Sequence, residues 1–164
     1  MTGFLSRRSL CLALILASAL PLAAAYISQY GFGLRPCQLC HYQRVPYFVN
    51  MGLGLAAFLI GDRSSRLVTV LLYAAVAVFV IGAGVAFFHT GVEYKWWAGL
   101  DTCSNDAIPL NLSIDELREI ISRQPIARCD KPAWSMFGIT MAGYNFLTSL
   151  VLAGGLFSLT RKKA

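Results

Sequence analysis

Four long segments without a charged residue constrain the fold of this 164-residue chain most strongly. They cover residues 9–30, 45–61, 67–88 and 136–160. About 20 apolar residues are enough for a helix to cross the hydrocarbon core of a bilayer. The chain is 57% hydrophobic and 13% charged, unlike a soluble domain. The sequence therefore predicts an all-α membrane protein, a four-transmembrane-helix bundle that forms a single integral-membrane domain over residues 1–164.

The charge is distributed as such a bundle requires. The formal net charge of +6 is carried by the N-terminus, the 62–66 turn and the C-terminus, which four crossings place on one side. Cytoplasmic segments are rich in Lys and Arg, so we expect cytoplasmic termini and two outer loops, at about 31–44 and 89–135. Because the excess basic residues are expected only at the cytoplasmic edge of a lipid bilayer, their distribution argues against a nucleic-acid partner. The residues concerned are Arg7, Arg8, Asp62, Arg63, Arg66, Arg161, Lys162 and Lys163.

The first apolar segment also resembles a secretory signal. Arg7-Arg8 precedes a leucine-rich run, and Ala23-Ala24-Ala25 offers the small residues of a cleavage site. Cleavage there would leave the rest of the chain facing the same way, so topology does not decide. The uncharged run is longer than the roughly 7–15 residues of a signal core, and we expect it to be retained as a helix.

The stretch PCQLCHYQR, residues 36–44, carries the chemistry. If a helix begins at or just after Pro36, then Cys37, Cys40, His41 and Arg44 stand at i, i+3, i+4 and i+7. That spacing puts two sulfurs and two basic side chains on one helical face. A helix N-terminus, neighbouring cations and the Cys-x-x-Cys pairing each lower the pKa of a thiol. The face is therefore suited to a redox thiolate.

Pro46 complicates this helix. A proline ring clashes with the carbonyl four residues earlier, here that of Tyr42, and we expect an interruption at this point. The relation between Cys40 and Arg44 is therefore firmer than the full set of four residues.

The other cysteines have several interpretations. Cys11 lies in the first apolar segment as a small buried hydrophobe. Cys103 and Cys129 bracket an amphipathic segment that starts at the capping box Ser113–Glu116 and is expected to form a short helix. This helix lies on the membrane surface or packs on the rest of the loop, and periodicity alone does not separate the two. A bridge between them would be structural or redox active. Four loop cysteines also make a zinc ligand set, but the 25 residues between this pair do not fit paired Cys-x-x-Cys units, so no metal is expected.

Two dithiols on one side of a membrane indicate electron transfer by thiol–disulfide exchange. Since the chain has no haem, flavin or metal motif to accept the electrons, a lipid-soluble quinone is the simplest acceptor. Arg44 is placed to stabilise a Cys40 thiolate or a quinone oxygen, or it simply extends to the headgroups. His89, at the outer end of the third segment, is a second candidate, against the interpretation that it is merely solvated.

These residues resemble the DsbB family, disulfide bond formation protein B. The resemblance is carried by Pro36 to Arg44, with arginine four residues after the second cysteine, by the four apolar segments and by the cysteine-bearing second loop. Pro46 departs from the pattern. Supporting positions are Phe88, His89, Thr90, Cys129, Trp134, Gly138 and Met141.

The resemblance implies a protein dithiol:quinone oxidoreductase of the bacterial inner membrane, with both redox loops in the periplasm. A reduced DsbA-like thioredoxin-fold oxidase would attack a Cys103–Cys129 disulfide at Cys103, and the released Cys129 would engage Cys37. Cys40 would become the thiolate that contacts ubiquinone or menaquinone from the membrane pool. The residues assigned to quinone binding on this resemblance are Arg44 and His89.

Three other classes stay open. A thiol:quinone oxidoreductase of the vitamin K epoxide reductase type would carry its Cys-x-x-Cys late in the bundle. A transporter of reducing equivalents would need cysteines inside its helices, where only Cys11 qualifies. A tetraspanin-like scaffold would hold structural disulfides in its second loop. Structural bridges resist mild dithiol reductants, whereas shuttling ones exchange readily, so reducibility separates these classes.

Overall fold

The computed structural model describes residues 6–100, 113–115 and 127–162. The regular structure in these residues is helical, apart from one short hairpin, and turns and irregular segments connect the elements. The four long helices are α1 (Arg7–Tyr30), α2 (Gln38–Ile60), α3 (Ser65–Glu93) and α4 (Met141–Arg161), and a 3-10 turn, Gly61–Arg63, joins α2 to α3. The hairpin pairs β1 (Ser135–Met136) antiparallel with β2 (Ile139–Thr140) and leads directly into α4.

Three of the described helices, α1, α3 and α4, are long and apolar enough to cross a membrane. Helix α2 has 23 residues, which is about 34 Å at 1.5 Å per residue, but its first two turns include Gln38, His41, Gln43 and Arg44. The expected all-helical architecture with four long helices is confirmed. Four crossings and cytoplasmic termini remain predictions.

The helices pack with α3 between α2 and α4, and with α1 mainly against α2. Helix α2 approaches both neighbours through glycines. A Cβ on Gly54 would lie 2.9 Å from Ile15 Cγ1 of α1. On the other side, a Cβ on Gly82 of α3 would lie 3.1 Å from Pro46 Cβ. The contact between Pro46 and Gly82 brings the N-terminal half of α2 close to α3, whereas the contact at Gly54 brings α1 close to α2.

The expected interruption at Pro46 is wrong, because α2 continues through it to Ile60. The ring is buried against Gly82, which has no side chain to exclude it. Prolines are tolerated inside membrane helices where neighbouring helices surround the freed backbone groups. Pro21 occupies a comparable place inside α1.

The outer ends of the helices also differ from the charge-free segments. Helix α2 begins at residue 38 and not 45, so most of the Cys-x-x-Cys stretch is helical rather than loop. Helix α3 continues past residue 88 to Glu93 and includes His89. Helix α4 begins at Met141 and not 136, because the hairpin occupies residues 135–140. Counting uncharged residues misses the start of α2 and the end of α3 because their outer turns carry polar side chains, and it includes uncharged residues of the hairpin in α4.

Two expectations fall on residues outside the described ranges. Cys103 is one of them. The amphipathic surface helix is the other: of its residues only 113–115 are described, and Ile114 and Asp115 are helical.

Candidate functional site at the N-terminus of the second helix

The Cys-x-x-Cys motif forms the N-terminus of α2, so the expected helix start just after Pro36 is confirmed. Cys37 is the N-cap residue in an extended conformation, and its Sγ accepts a hydrogen bond from the backbone N–H of Cys40 at 3.4 Å. The sulfur thus takes the place of the oxygen that usually caps a helix. The unsatisfied backbone N–H groups at this end of the helix favour negative charge on the Cys37 sulfur.

The two sulfurs and one histidine form a compact group. Cys37 and Cys40 are free thiols with their Sγ atoms 3.0 Å apart. Nε2 of His89, on α3, lies 3.5 Å from Cys37 Sγ. Cys37 and His89 are buried, with 5% and 2% of their surface exposed. Contact between the ends of α2 and α3 therefore assembles the group.

The surroundings of Cys37 make it the more acidic thiol. Its pKa falls from the ordinary 9.0 to about 4, chiefly because the Cys40 thiol hydrogen-bonds to it. The hydrogen bond and positive charge of His89 lower the pKa further, whereas burial of the sulfur opposes the change. Cys37 is therefore a thiolate at neutral pH, the form that attacks and exchanges disulfides.

The interpretation of His89 as a merely solvated residue is wrong, since it is buried beside the sulfurs. The histidine next to Cys40 in sequence, His41, is exposed and lies outside the group. Helical spacing placed His41 on the same face as the two thiols. The histidine that contacts the thiols is instead His89 of the neighbouring helix α3. The basic partner of the thiols therefore comes from α3, through a contact that spacing within α2 does not reveal.

A cavity of about 370 Å³ opens beside the thiols. Helix α1 supplies much of its apolar wall, and α1 and α4 make few contacts with each other around it. Its size is within the usual range of about 300–1,000 Å³ for small-molecule pockets. The apolar residues of α1 in the wall are Leu20, Pro21, Leu22, Ala24 and Ala25. The polar groups are Cys37, Cys40, Gln43, Arg44, His89 and Glu93, with further residues of the second loop and of α4.

Arg44 lines this cavity and is held there by α1. Its Nη1 donates to Gln29 Oε1 at 2.8 Å, and its guanidinium carbon lies 4.8 Å from the centre of the Tyr26 ring. Within the described part of the chain, no hydrogen bond joins Arg44 to Cys40, although helical spacing favoured that pairing. The structure therefore places Arg44 at the cavity shared with the thiols and not on the sulfur.

Sequence reasoning missed a row of buried and half-buried polar side chains that starts at His89. Gln43 Nε2 lies 2.6 Å from His89 Nδ1, and Asn145 Nδ2 donates to Gln43 Oε1 at 2.5 Å. Tyr47 donates to Asn145 Oδ1 at 2.5 Å and lies 3.1 Å from Ser149 Oγ. The sequence did contain a signal for this row. Two polar residues stand four apart on one face of α2, and two more do so on α4, although both helices are largely apolar. We call these five residues the polar chain.

Glu93 was missed as well. Its Oε1 lies 3.8 Å from His89 Nε2, and only 4% of its side chain is exposed. The other oxygen, Oε2, has no hydrogen-bond partner among the described residues. The signal was its place four residues after His89, which puts both on one helical face. A buried carboxylate thus faces the imidazole from the cavity side.

Cys129 lies beside the same group. It is fully buried in an apolar cluster with Cys37, Leu39 and Val92, and its backbone hydrogen-bonds to His89. It is disulfide-bonded. The structure thus brings three of the four cysteines named from the sequence to one place, while Cys103 is outside the described ranges.

The donor atoms of the group are also of the kinds that bind metal ions. One atom each from Cys37, Cys40 and His89 lies within 4.8 Å of the others. Thiolate and imidazole are both zinc ligands. This set of two cysteines and one histidine differs from the four loop cysteines that the sequence suggested as zinc ligands. The metal content of the purified protein distinguishes a zinc site from a redox pair.

Comparison with known proteins gives consistent matches. The family model of the disulfide bond formation protein DsbB matches residues 7–159. An uncharacterized protein of Rickettsia prowazekii is 33% identical over 142 residues, which are 86% of this chain and 80% of that protein. Disulfide bond formation protein B of Stutzerimonas stutzeri is 30% identical over 157 residues, 90% of this chain and 91% of its own. No solved structure matches significantly.

Proposed function

Because the chain belongs to the DsbB family of disulfide bond formation proteins, we propose that it is a protein dithiol:quinone oxidoreductase of the bacterial inner membrane. It reoxidises a periplasmic DsbA-like thiol oxidase and passes the electrons through Cys103–Cys129 and Cys37–Cys40 to a membrane quinone. The observation that carries the proposal is the contact of Cys37 with Cys40 and with His89 on the wall of a largely apolar cavity.

The position of Cys129 supports the transfer between the two pairs. Once the partner has opened the loop disulfide at Cys103, the Cys129 thiolate attacks Cys37 Sγ of the oxidised Cys37–Cys40 pair. A Cys129–Cys37 bond forms, the Cys37–Cys40 bond breaks, and Cys40 leaves as a thiolate. Cys129 and Cys37 already share one buried cluster. The partner's second thiol attacks its own sulfur in the mixed disulfide, so the partner leaves oxidised and Cys103 is released as a thiolate. Cys103 then attacks Cys129, displaces Cys37 and restores the loop disulfide, and both electrons remain on the Cys37–Cys40 dithiol.

The residues of the cavity fit a quinone. Apolar side chains of α1 suit an uncharged ring, and the opposite side offers donors from Arg44 and His89. Bound there, a quinone supplies an acceptor for two electrons and two protons. Arg44 keeps its charge at any relevant pH and presents a planar set of donors, so it stabilises negative charge at an oxygen in the cavity. His89 holds a proton between Cys37 and Glu93.

The test is direct oxidation of the Cys37–Cys40 pair. Reduced, purified protein is mixed without oxygen with a short-chain ubiquinone or menaquinone, and quinone absorbance is followed while thiols are counted. We expect one quinone reduced per Cys37–Cys40 pair oxidised. Cys40→Ala should abolish the reaction. Cys11→Ala, which removes a free cysteine buried in α1, should retain it.

The same experiment distinguishes a redox-active Cys37–Cys40 pair from a metal site. If Cys37, Cys40 and His89 hold a structural zinc, the purified protein contains about one equivalent of metal, and the thiols react with quinone only after chelation. A reaction that proceeds equally with and without chelator supports the redox assignment. The scaffold and vitamin K epoxide reductase alternatives lose their support, because the DsbB model matches nearly the whole chain.

A further inference from the structure

The two acceptors at Nε2 of His89 fix where the imidazole carries its hydrogen. Cys37 Sγ lies 3.5 Å from this nitrogen and the Glu93 carboxylate oxygen lies 3.8 Å from it. A thiolate and a carboxylate can only accept hydrogen bonds. Hydrogen on Nε2 can be donated to the sulfur and is attracted to the carboxylate, whereas a bare Nε2 would face two negative groups. A neutral His89 therefore has a bare Nδ1, which needs a donor.

The polar chain supplies that donor. The donor-to-acceptor direction of each hydrogen bond in the chain fixes the direction of the next one. Gln43 presents its NH₂ group to Nδ1 and its oxygen to Asn145. Asn145 donates to that oxygen and turns its own oxygen to the hydroxyl of Tyr47. Each amide has one donor end and one acceptor end, so turning either amide alone breaks two hydrogen bonds.

Burial makes such a break costly. Gln43 is 7% exposed, and Tyr47 and Ser149, at the far end, are 3% and 1% exposed. Inside a membrane bundle, water is scarce as a substitute partner, and an unsatisfied polar group is expensive. The amide of Gln43 is therefore held in one orientation by residues of α4.

We propose that Gln43 and Asn145 are positioning residues that hold His89 in the tautomer with hydrogen on Nε2, so that the imidazole donates to the Cys37 sulfur from a fixed position. The inference rests on the proposed function for its purpose, since a stabilised Cys37 thiolate serves disulfide exchange. It concerns the resting dithiol, however, and its test needs neither quinone nor partner. Asn145 acts two hydrogen bonds away from the imidazole, through Gln43.

The experiment uses the reduced full-length protein in detergent, with ¹⁵N-labelled histidine. The chain has only two histidines, and His41→Gln leaves a single imidazole to observe. Above the pH at which His89 loses its positive charge, we expect the ¹⁵N spectrum to show hydrogen on Nε2 and a bare Nδ1. Gln43→Leu and Asn145→Leu should each give a mixture of tautomers.

The matched control is Asn50→Leu, which also removes a buried amide from α2. The amide atoms of Asn50 have no hydrogen-bond partner among the described residues, so the tautomer of His89 should stay as in the parent. If Gln43→Leu fails to fold, Asn145→Leu decides alone. A single Nε2–H tautomer in the folded Gln43→Leu and Asn145→Leu variants, or tautomer mixing no larger than in Asn50→Leu, would overturn the proposal. Normal tautomer behaviour without quinone reduction would refute the proposed function and leave this inference standing.

Discussion

The acidity of Cys37 is the residue-scale property on which the mechanism depends. The resemblance alone directed attention to Cys40, as the thiolate that faces the acceptor. In the resting dithiol, however, the hydrogen bond from Cys40 and the proximity of His89 stabilise negative charge on Cys37. The two views describe different stages, because Cys40 becomes a thiolate only when Cys37 is engaged in a disulfide.

A pH profile of the reduced protein tests this assignment. The pKa of Cys37 is lowered from 9.0 to about 4, so its thiolate persists as the pH falls from 9 and is lost only near pH 4. Iodoacetamide at pH 6, followed by mass spectrometry of peptides, should label Cys37 and leave Cys40 unmodified. His89→Ala should move the Cys37 midpoint upward. Equal labelling of the two thiols, or a Cys37 midpoint near 9, would contradict the assignment.

Arg44 is the second residue whose role can be measured. Its guanidinium is held over the cavity by Gln29 and Tyr26. We expect Arg44→Ala to raise the KM for quinone by about tenfold or more, the loss of one charge-assisted hydrogen bond, and Arg44→Lys to raise it less. Formation of the mixed disulfide with the partner should be unchanged in both. Normal quinone kinetics in Arg44→Ala would mean that the side chain only extends to the headgroups.

At the scale of elements, close contact between helices positions the group. Helix α1 forms one wall of the cavity and packs on α2 where Gly54 leaves room for Leu14 and Ile15. A side chain at that point would push α1 away from the thiol-bearing helix. The contact thus connects the stability of the bundle with the width of the cavity.

Two glycines of α2 make a matched pair for this test. Gly54→Val should cost about 1–3 kcal/mol of stability through overpacking, and it should raise the KM for quinone. Gly52→Val introduces the same side chain in the same helix, where a Cβ has nothing within 4 Å, and should be close to neutral. Thermal unfolding in detergent measures both. Equal losses at the two positions would show that α1 does not pack closely on Gly54.

The sequence was sufficient for some of these elements and insufficient for others. The apolar segments and the Pro36 to Arg44 motif predicted the helical class and the start of α2, because both signals are local. The passage of α2 through Pro46 depends on Gly82 of another helix. The burial of His89 and the polar chain likewise depend on how α2, α3 and α4 meet, which periodicity within one helix does not encode.

At the scale of the whole molecule, the orientation in the membrane decides whether the thiols can meet a periplasmic partner. Basic residues at the termini and in the 62–66 turn predict that the cysteine-bearing loops face outward. An impermeant maleimide added to intact cells treated with reductant should therefore label Cys103. A Cys103→Ala chain gives the background. Labelling of Cys103 only after lysis would reverse the topology.

The central claim is that electrons pass from a partner thiol, through both cysteine pairs, to a quinone. The most direct measurement mixes reduced DsbA-like oxidase with catalytic amounts of this protein and excess quinone, and follows partner thiols and quinone absorbance together. We predict that two thiols disappear for each quinone reduced. Cys103→Ala should lose this reaction yet still reduce quinone with dithiothreitol, whereas Cys40→Ala should lose both. Partner-dependent quinone reduction by Cys103→Ala at the parent rate, or loss of both reactions in that variant, would contradict the two-pair relay.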